Sequence, residues 1–313
     1  MKQSRSGIVP IRIKISKILH KNTKLFFKIK YWRLRAIMWI YSNVDDRTFI
    51  EKQYHRRTGK LLNLESPVLY NEKVQYRKLY DHDSRMEKLV DKAEVREYVK
   101  ACIGEQYLPK LYGIYNTVEE IPFERLPDAF AIKLTNGSGF NYICKNKTPL
   151  AIKEIKRRFH EWLKLDYYML GREWAYKNVK NRIICEEYLH DRRNEGLLDY
   201  KVFCFNGEPR MIQVDIDRFT NHKRNLYTID WKLMQECMTY ENDPDANIPV
   251  PDNLEEILWC ARKLSSGFSH VRVDFYDIDG RIILGEMSFY PDAGYLKFNN
   301  EAFERQLGDY WEL

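Results

Sequence analysis

The densest chemistry in the chain lies in HVRVDFYDIDGRIILGEMSFYPDAG, residues 270–294, which carries Arg272, Asp274, Glu286 and Ser288. The stretch reads as two alternating strands joined at Asp279-Gly280, a tight-turn dipeptide. A three-residue loop with Gly280 in the left-handed bulge position is expected. It puts Arg272 and Asp274 on one face with Glu286 and Ser288, and Val271, Val273, Phe275, Ile283 and Met287 on the other. Two carboxylates, an arginine and a hydroxyl above an apolar face suit a magnesium–phosphate site, because Mg²⁺ takes one or two carboxylates together with phosphate oxygens. A two-residue turn would place the carboxylates on opposite faces. The alternative is an exposed amphipathic hairpin whose charges face water.

A second constellation precedes it. In FAIKLTNGSG, Phe130, Ile132 and Leu134 alternate with Ala131, Lys133 and Thr135, so Lys133 projects from one strand face. Gly137, Ser138 and Gly139 follow, a turn whose backbone amides can approach an anion while the lysine supplies a point charge. A plain hairpin turn with an exposed lysine fits the same residues. The segment is not a Walker loop, and no G-x-G-x-x-G follows a strand. CEEYL places Glu186 and Glu187 on opposite faces at a strand end, where a buried acid can accept from an exocyclic amine or a ribose. Asp199 and Lys201 share a face at the start of the next hairpin. Arg218, in VDIDRFTNHKRN, can neutralise an acidic substrate or simply face water. The seven histidines show no triad-like placement and G-x-S-x-G is absent, which argues against covalent serine catalysis.

These residues must be positioned by a mixed, hairpin-rich fold. Residues 42–90 read as polar helices, punctuated by Gly59 and Pro67, and DKAEVREYVK continues as a helix from Asp91. Short strands follow at QYLPKLYGIYNT, FAIKL, NYICKN and RIICEEYL, with a helical turn over Val118–Leu126 and an amphipathic helix over 150–169. A hairpin turns at Asn206-Gly207, and a helix over 253–266 has Asn253 as its cap. The fold class is α+β with antiparallel sheets. At 313 residues the chain can bury one large or two modest cores. Its charge of +7 is uneven: residues 1–36 hold eleven Lys and Arg and no acid, and the rest is close to neutral. A nucleic-acid-binding surface is therefore not indicated. The basic segment alternates lysines with Ile, Leu, Phe and Trp, so it suits an anionic membrane surface or an ordinary solvated helix. No apolar run is long enough to span a bilayer. The six scattered cysteines include Cys185 and Cys204 inside apolar runs, which points to free thiols in a reducing, cytoplasmic setting, peripheral to the membrane if the basic segment docks there.

The motif order matters more than any single motif. Asp91-Lys92 with Arg96, then an LP-x-L-x-G-x-Y segment, FAIKLTNGSG, IICEEYL, DYKVFCFNGEP, HVRVDFYDIDG and ILGEMSFYPDAG closely resemble the ATP-grasp superfamily, specifically its TupA-like branch from polysaccharide and teichuronopeptide gene clusters. The resemblance covers roughly residues 70–310. It implies an ATP-grasp fold: a basic helical N-terminal extension over 1–40, a helical lead-in over 41–90, and an ATP-grasp domain over 91–313, in two α+β subdomains dividing near residue 190. It further implies that Lys92 contacts the α-phosphate, and that Lys133 and the Gly137–Gly139 loop close on the phosphates. By the same resemblance Glu186 is the adenine-hinge acid, with Leu189 giving backbone contacts and Asp199 taking the place of a ribose-binding Glu. Asp274 and Glu286 would hold Mg²⁺ beside a phosphate-neutralising Arg272. Ser288 stands where the superfamily carries Asn, a weaker ligand that leaves a second metal open. ATP and Mg²⁺ are the implied cofactors. The implied reaction activates a carboxylate as an acyl-phosphate for capture by an amine, here in surface-polysaccharide synthesis, with a glycan or amino-acid substrate.

Other readings stay open at this level. Asp215-Ile216-Asp217 supplies the D-x-D of a metal-dependent glycosyltransferase. A kinase acting on a sugar hydroxyl would use the same ATP site, and a non-catalytic module would need neither Lys133 nor the paired carboxylates.

Overall fold

The computed structural model describes residues 23–191, 197–216, 221–246 and 248–313, with backbone only for 23–28 and 30. The chain divides into two compact units, one ending at Val44 and one running from Asp45 to Leu313. In the first, helix α1 (Thr23–Ile40) occupies the basic, apolar-rich segment.

The second unit opens with three helices, α2 (Asp46–Thr58), α3 (Tyr70–Tyr80) and α4 (Ser84–Val90). Asp45 caps α2 by accepting from the Thr48 amide, and Gly59 ends it at φ +74°, a conformation glycine adopts without strain. Helix α5 (Val95–Cys102) starts four residues later than its amphipathic pattern suggests. Asp91 accepts from the amides of Ala93 and Glu94 and holds the entry as a turn, which leaves Lys92 outside the helix. The predicted helical turn over Val118–Leu126 shrinks to a single 3₁₀ turn at Phe123–Arg125.

Four strands form the first sheet: β1 (Leu111–Tyr115), β2 (Phe130–Leu134), β3 (Asn141–Cys144) and β4 (Ile183–Glu187), in the order β1-β4-β2-β3. Helices α6 (Pro149–Trp162) and α7 (Tyr168–Gly171) connect β3 to β4. Five strands form the second sheet, in the order β7-β6-β5-β8-β9: β5 (Asp199–Phe205), β6 (Glu208–Ile216), β7 (Lys223–Tyr227), β8 (His270–Ile278) and β9 (Arg281–Ser288). Every pairing is antiparallel. The architecture is α+β with two separate sheets, as expected. Strand β7 and the closing helix α9 (Glu301–Asp309) are additions to the sequence reading.

The second sheet is covered on both sides, which is why β5 is buried along its whole length. On one face Val202, Cys204, Val271, Val273 and Phe275 meet Ile257, Cys260, Ala261 and Leu264 of helix α8 (Leu254–Ser265). Asn253 precedes α8 without capping it by its side chain; the amide donates instead to Gly280 O at 2.8 Å, tying the helix to the β8–β9 turn. The other face is divided. One end is aromatic, with His270 stacked on Phe205 at 4.4 Å and Tyr70 of α3 edge-on to His270 at 5.3 Å. The remainder is polar.

Candidate functional site

The β8–β9 hairpin reaches the expected arrangement by a different route. Its turn holds two residues, Asp279 and Gly280, at φ 51° and 88°, with Ile278 paired to Arg281. Left uninterrupted, that register would send Glu286 to the core face. A bulge intervenes: Phe275 pairs with Leu284 and Asp274 with Glu286, so Gly285 is the extra residue. The bulge shifts the strand by one place and returns Glu286 and Ser288 to the face of Asp274 and Arg272. A Cβ at Gly285 would lie 3.0 Å from the Tyr276 ring and 3.3 Å from Asp274 O, so the close approach favours glycine. The same shift corrects one assignment on the apolar face: Ile283 pairs with Tyr276 on the polar side, and Leu284 takes its place in the core.

The polar half of this face is a chain of charges running across strands. Arg272 grips Asp274 with two hydrogen bonds, Nε to Oδ1 and Nη2 to Oδ2, both 2.7 Å, and Nη2 reaches Glu286 Oε1 at 3.2 Å. On β5, the Lys201 ammonium donates to Asp274 Oδ2 at 2.9 Å and is also paired with Asp199. Burial works against the charge on Lys201, but Asp274 and Asp199 outweigh it and hold its pKa above the ordinary lysine value. For Asp274 burial again opposes ionisation, and Arg272 with Lys201 overrides it, keeping the carboxyl below its usual range. Farther along, Asp215 of β6 accepts from Arg224 of β7 at 2.7 Å, from His222 at 3.1 Å and from Gln213. The acid of the D-x-D that falls within the described residues is thus absorbed in a buried pair, and Asp217 lies outside them. Arg218 also lies outside the described residues.

The first sheet supplies the opposing wall. Across β2 and β4, Ala131 pairs with Glu186 and Lys133 with Ile184, so Lys133 and Glu186 share a face. Glu186 is 5% exposed and held from both sides, by Lys133 Nζ at 2.9 Å and Arg96 Nη1 at 2.9 Å. Arg96 is a partner that the sequence reading placed only as part of a helix; its i+4 spacing from Lys92 was the available signal. Glu187 points the other way. It accepts from the Lys110 amide at 3.0 Å and from Arg281 at 2.9 Å, and does not line the cavity, because adjacent strand residues alternate faces.

Lys92 Nζ donates to Gly137 O at 2.6 Å, docking on the glycine loop that follows Lys133. Burial lowers the pKa of Lys92, with Lys133 adding to the effect and Glu286 opposing it. Gly137 and Gly139 adopt φ of +78° and +80°. At Gly137 a Cβ would lie 2.4 Å from the Tyr167 ring, whereas Gly139 and Ser138 face outward. Lys92, Lys133, Glu186 and Leu189 from the first sheet and its approaches line one cavity with Tyr276, Gly285, Glu286 and Met287 from the second. Lys201, Asp199 and Asp274 form the floor of the second wall rather than the cavity lining. Ser288, paired with Arg272, lies one step beyond Glu286. In this structure the cavity is closed to about 40 Å³, well under the volume of a ligand pocket.

For a metal, the donors fit one class. Among the described residues no cluster of three or more His, Cys, Asp or Glu could cage an ion. Asp274 and Glu286 are direct cross-strand partners, and Glu286 keeps a side chain 39% exposed, whereas Asp274 is 2% exposed with both oxygens engaged. An open carboxylate backed by a buried one suits Mg²⁺ that arrives with phosphate oxygens as its remaining ligands. All six cysteines are free.

Comparison with solved structures returns ATP-grasp enzymes. One is the ATP-grasp ligase PsnB complexed with a phosphomimetic variant of its minimal precursor, Mg and ADP, at 12% identity over 66% of this chain and 51% of that one, with a TM-score of 0.39. A second is D-alanine–D-alanine ligase from Bacillus anthracis complexed with ATP, at 13% identity over 72% and 63%, with a TM-score of 0.43. A third is N5-carboxyaminoimidazole synthetase from Staphylococcus aureus complexed with ADP, at 12% identity over 66% and 46%, with a TM-score of 0.41. The chain spans about half the length of the first of these, 51%. No curated protein sequence matches it. The sequence model of TupA-like ATP-grasp proteins matches residues 72–312, taking in both sheets and every strand, and the chain belongs to the TupA-like ATP-grasp family.

Proposed function

We propose that the protein is an ATP- and Mg²⁺-dependent carboxylate–amine ligase acting in cell-surface polysaccharide synthesis. One observation carries the reading: Lys92, Lys133 and Glu186 on one sheet and Glu286 on the other line a single cavity. Lys92 and Lys133 are placed to bind phosphate oxygens, with Gly137 and Gly139 offering backbone amides from the loop above them. Glu186, fixed by Arg96 and Lys133, is a hydrogen-bond acceptor for a base amine, and Leu189 is apolar lining for the base. Glu286, with Ser288 beside it and Asp274 behind, would hold Mg²⁺, which when bound neutralises charge on the nucleotide phosphates. Arg272 orients both carboxylates and adds positive charge where the phosphoryl group is transferred. Lys201 and Asp199 position Asp274, and Asp199 sits too deep in this closed form to line the cavity. A glycosyltransferase reading loses its best motif, since Asp215 is paired with Arg224.

The test is calorimetry with ATP and Mg²⁺ against UDP- and GDP-sugars. Magnesium-dependent ATP binding that disappears in Glu286→Gln is expected; binding of a nucleotide sugar with ATP silent would overturn the proposal. Product analysis then separates ligation from kinase action, since a kinase leaves phosphate on the acceptor.

The proposal includes docking of α1 on the anionic inner face of the membrane. No described helix is long and apolar enough to cross a membrane. Helix α1 does expose Trp32, Trp39 and Ile40, at 68%, 79% and 59%, alongside Arg33 and Arg35. Exposed indoles beside cations match the interfacial region of an anionic bilayer. Co-sedimentation with phosphatidylglycerol vesicles, absent with neutral vesicles and lost in Trp32→Ser with Trp39→Ser, is the expected result.

A further inference from the structure

Four acids lie on the polar face of the second sheet, and each is held by a cation. Arg272 grips Asp274 and Arg224 grips Asp215, both at 2.7 Å; Asp199 is paired with Lys201, and Glu286 meets Arg272 at 3.2 Å. A fifth acid, Asp292, reaches the same face from the segment that follows β9. Its side chain is 41% exposed, and its one ion-pair contact among the described residues is the loosest of the set, Arg224 Nη1 at 3.7 Å. Asp292 also adds to the negative field acting on Arg272, so it stands within reach of both buried arginines. We propose that Asp292 binds the ammonium group of a primary amine, and that this amine is the nucleophile of the ligation.

Charge is the first argument. Among the described residues, five carboxylates meet three cations on this face, Lys201, Arg224 and Arg272. Arg224 does not satisfy Asp292, because its Nε is committed to Asp215 and its Nη1 donates to Met238 O at 3.2 Å. Mg²⁺ accounts for Glu286, the other open carboxylate. Asp292 is then left for a second positive ligand, and the excess negative charge disfavours another anion there. The face also keeps an unused acceptor. Gln213, paired across strands with Lys201, is 0% exposed and gives its Nε2 to both oxygens of Asp215, which leaves its Oε1 without a partner. A buried amide oxygen in that state points to a donor that arrives with a ligand.

The backbone is the second argument. Asp292 sits at φ 47°, ψ 30° and Ala293 at φ 55°, ψ 24°, with Gly294 next at φ +69°. Only glycine takes this left-handed conformation without strain. Two buried side chains of α3 enforce it. Gln75 Nε2 donates to Ala293 O at 3.0 Å and to Gly294 O at 2.7 Å, and Lys78 Nζ donates to Ala293 O at 2.8 Å. These bonds tie the carbonyls of the turn to the helix. A glycine at 292 would relieve the strain, so what the position gains from aspartate is its carboxylate. Strained residues over-determined by their surroundings cluster at ligand sites.

Place is the third. Arg272 touches Glu286 and feels Asp292, so an amine held at Asp292 sits next to the carboxylate assigned to Mg²⁺ and hence beside the phosphoryl group.

That the amine is the nucleophile rests on the ligase reading; that an ammonium binds at Asp292 does not. The experiment is calorimetry on the full chain at pH 7 with glycinamide, whose amine is protonated there, against N-acetylglycinamide, which carries no charge. ATP with Mg²⁺ is titrated separately. Glycinamide is expected to bind and its acetylated form not. Asp292→Asn, which tolerates the left-handed backbone, should weaken glycinamide about ten-fold by removing a charge-assisted hydrogen bond. Asp292→Gly should weaken it at least as much, yet melt at or above the wild-type temperature because the strain is gone. Both variants should retain Mg²⁺-dependent ATP binding. Absence of glycinamide binding, equal binding of N-acetylglycinamide, or wild-type affinity in Asp292→Asn would overturn the assignment. So would an Asp292→Gly protein melting well below wild type, since that marks Asp292 as a structural partner of Arg224. Absence of ATP binding in the wild type would overturn the ligase reading instead.

Discussion

Lys201 is the residue whose removal best separates architecture from ligand binding. Its ammonium is buried between Asp199 and Asp274, 2.9 Å from the latter. Lys201→Met keeps most of the side-chain volume and removes the charge, leaving Arg272 to hold Asp274 alone and Asp199 without its ammonium. Breaking a buried pair by deleting one partner costs about 3–5 kcal/mol. At about 2–4 °C per kcal/mol for a body of this size, the melting temperature should fall by roughly 10 °C. Glu286→Gln is the contrast. Its side chain is 39% exposed and has one 3.2 Å contact with Arg272, so its stability cost should stay under about 1 kcal/mol while Mg²⁺-dependent ATP binding is lost. The signs with pH follow from the two shifts. Asp274 has a lowered pKa, so its contribution is present above the unfolded value near 3.8 and disappears as pH falls through the folded value. Lys201 has a raised pKa, so its contribution is complete below 10.5 and fades as pH rises past that. The gap between wild type and Lys201→Met should be full at neutral pH and narrow below about pH 4. Thermal denaturation followed by tryptophan fluorescence measures it. A Lys201→Met protein melting within about 2 °C of wild type at pH 7 would refute the claim that this network holds the second wall.

Three further outcomes follow from the same geometry. Gly137→Ala must accept a left-handed backbone and displace the Tyr167 ring from 2.4 Å, whereas Gly139→Ala at φ +80° meets nothing within 4 Å. Gly137→Ala should therefore weaken ATP binding well beyond Gly139→Ala, with calorimetry on the two variants giving the difference. His270 accepts from the Tyr70 hydroxyl at 2.8 Å and donates to Cys204 O at 2.7 Å, so His270→Phe should cost about 1–3 kcal/mol in denaturant titration. Burial holds the His270 pKa well below 6.5; its contribution is present above that value and lost as pH falls, so the variant should lack part of the wild-type acid sensitivity. Deleting Gly285 removes the bulge and turns Glu286 toward the core. Loss of Mg²⁺–ATP binding with a large drop in melting temperature is expected, and retention of either would show that the bulge does not set the face.

How much of this was legible in the sequence depends on which physical scale wrote each feature. Strand alternation is local, so Lys133, Arg272 and Asp274 could be assigned to faces, and the Asn206-Gly207 turn was readable from its dipeptide. The face of Glu286 was read correctly from an incorrect turn. The dipeptide Asp279-Gly280 makes a two-residue turn, as such dipeptides prefer, and the one-residue correction comes from Gly285, whose need for glycine is a contact with Tyr276 and Asp274 O. A bulge is tertiary in origin, and an isolated Gly in a strand was its only local trace. Glu187 was overassigned for a related reason. Two adjacent acids at a strand end look equivalent until pairing decides which one meets Lys133, and Arg96, 90 residues before Glu186 in sequence but beside it in space, made that choice invisible along the chain. Lys201 shows the limit most clearly. Its position on the face of Asp199 was readable, yet its partnership with Asp274 spans 73 residues and exists because β5 and β8 are neighbours. The sequence lists the charges of the second wall; only the strand order makes them one network, and that network leaves Glu286 as the open carboxylate.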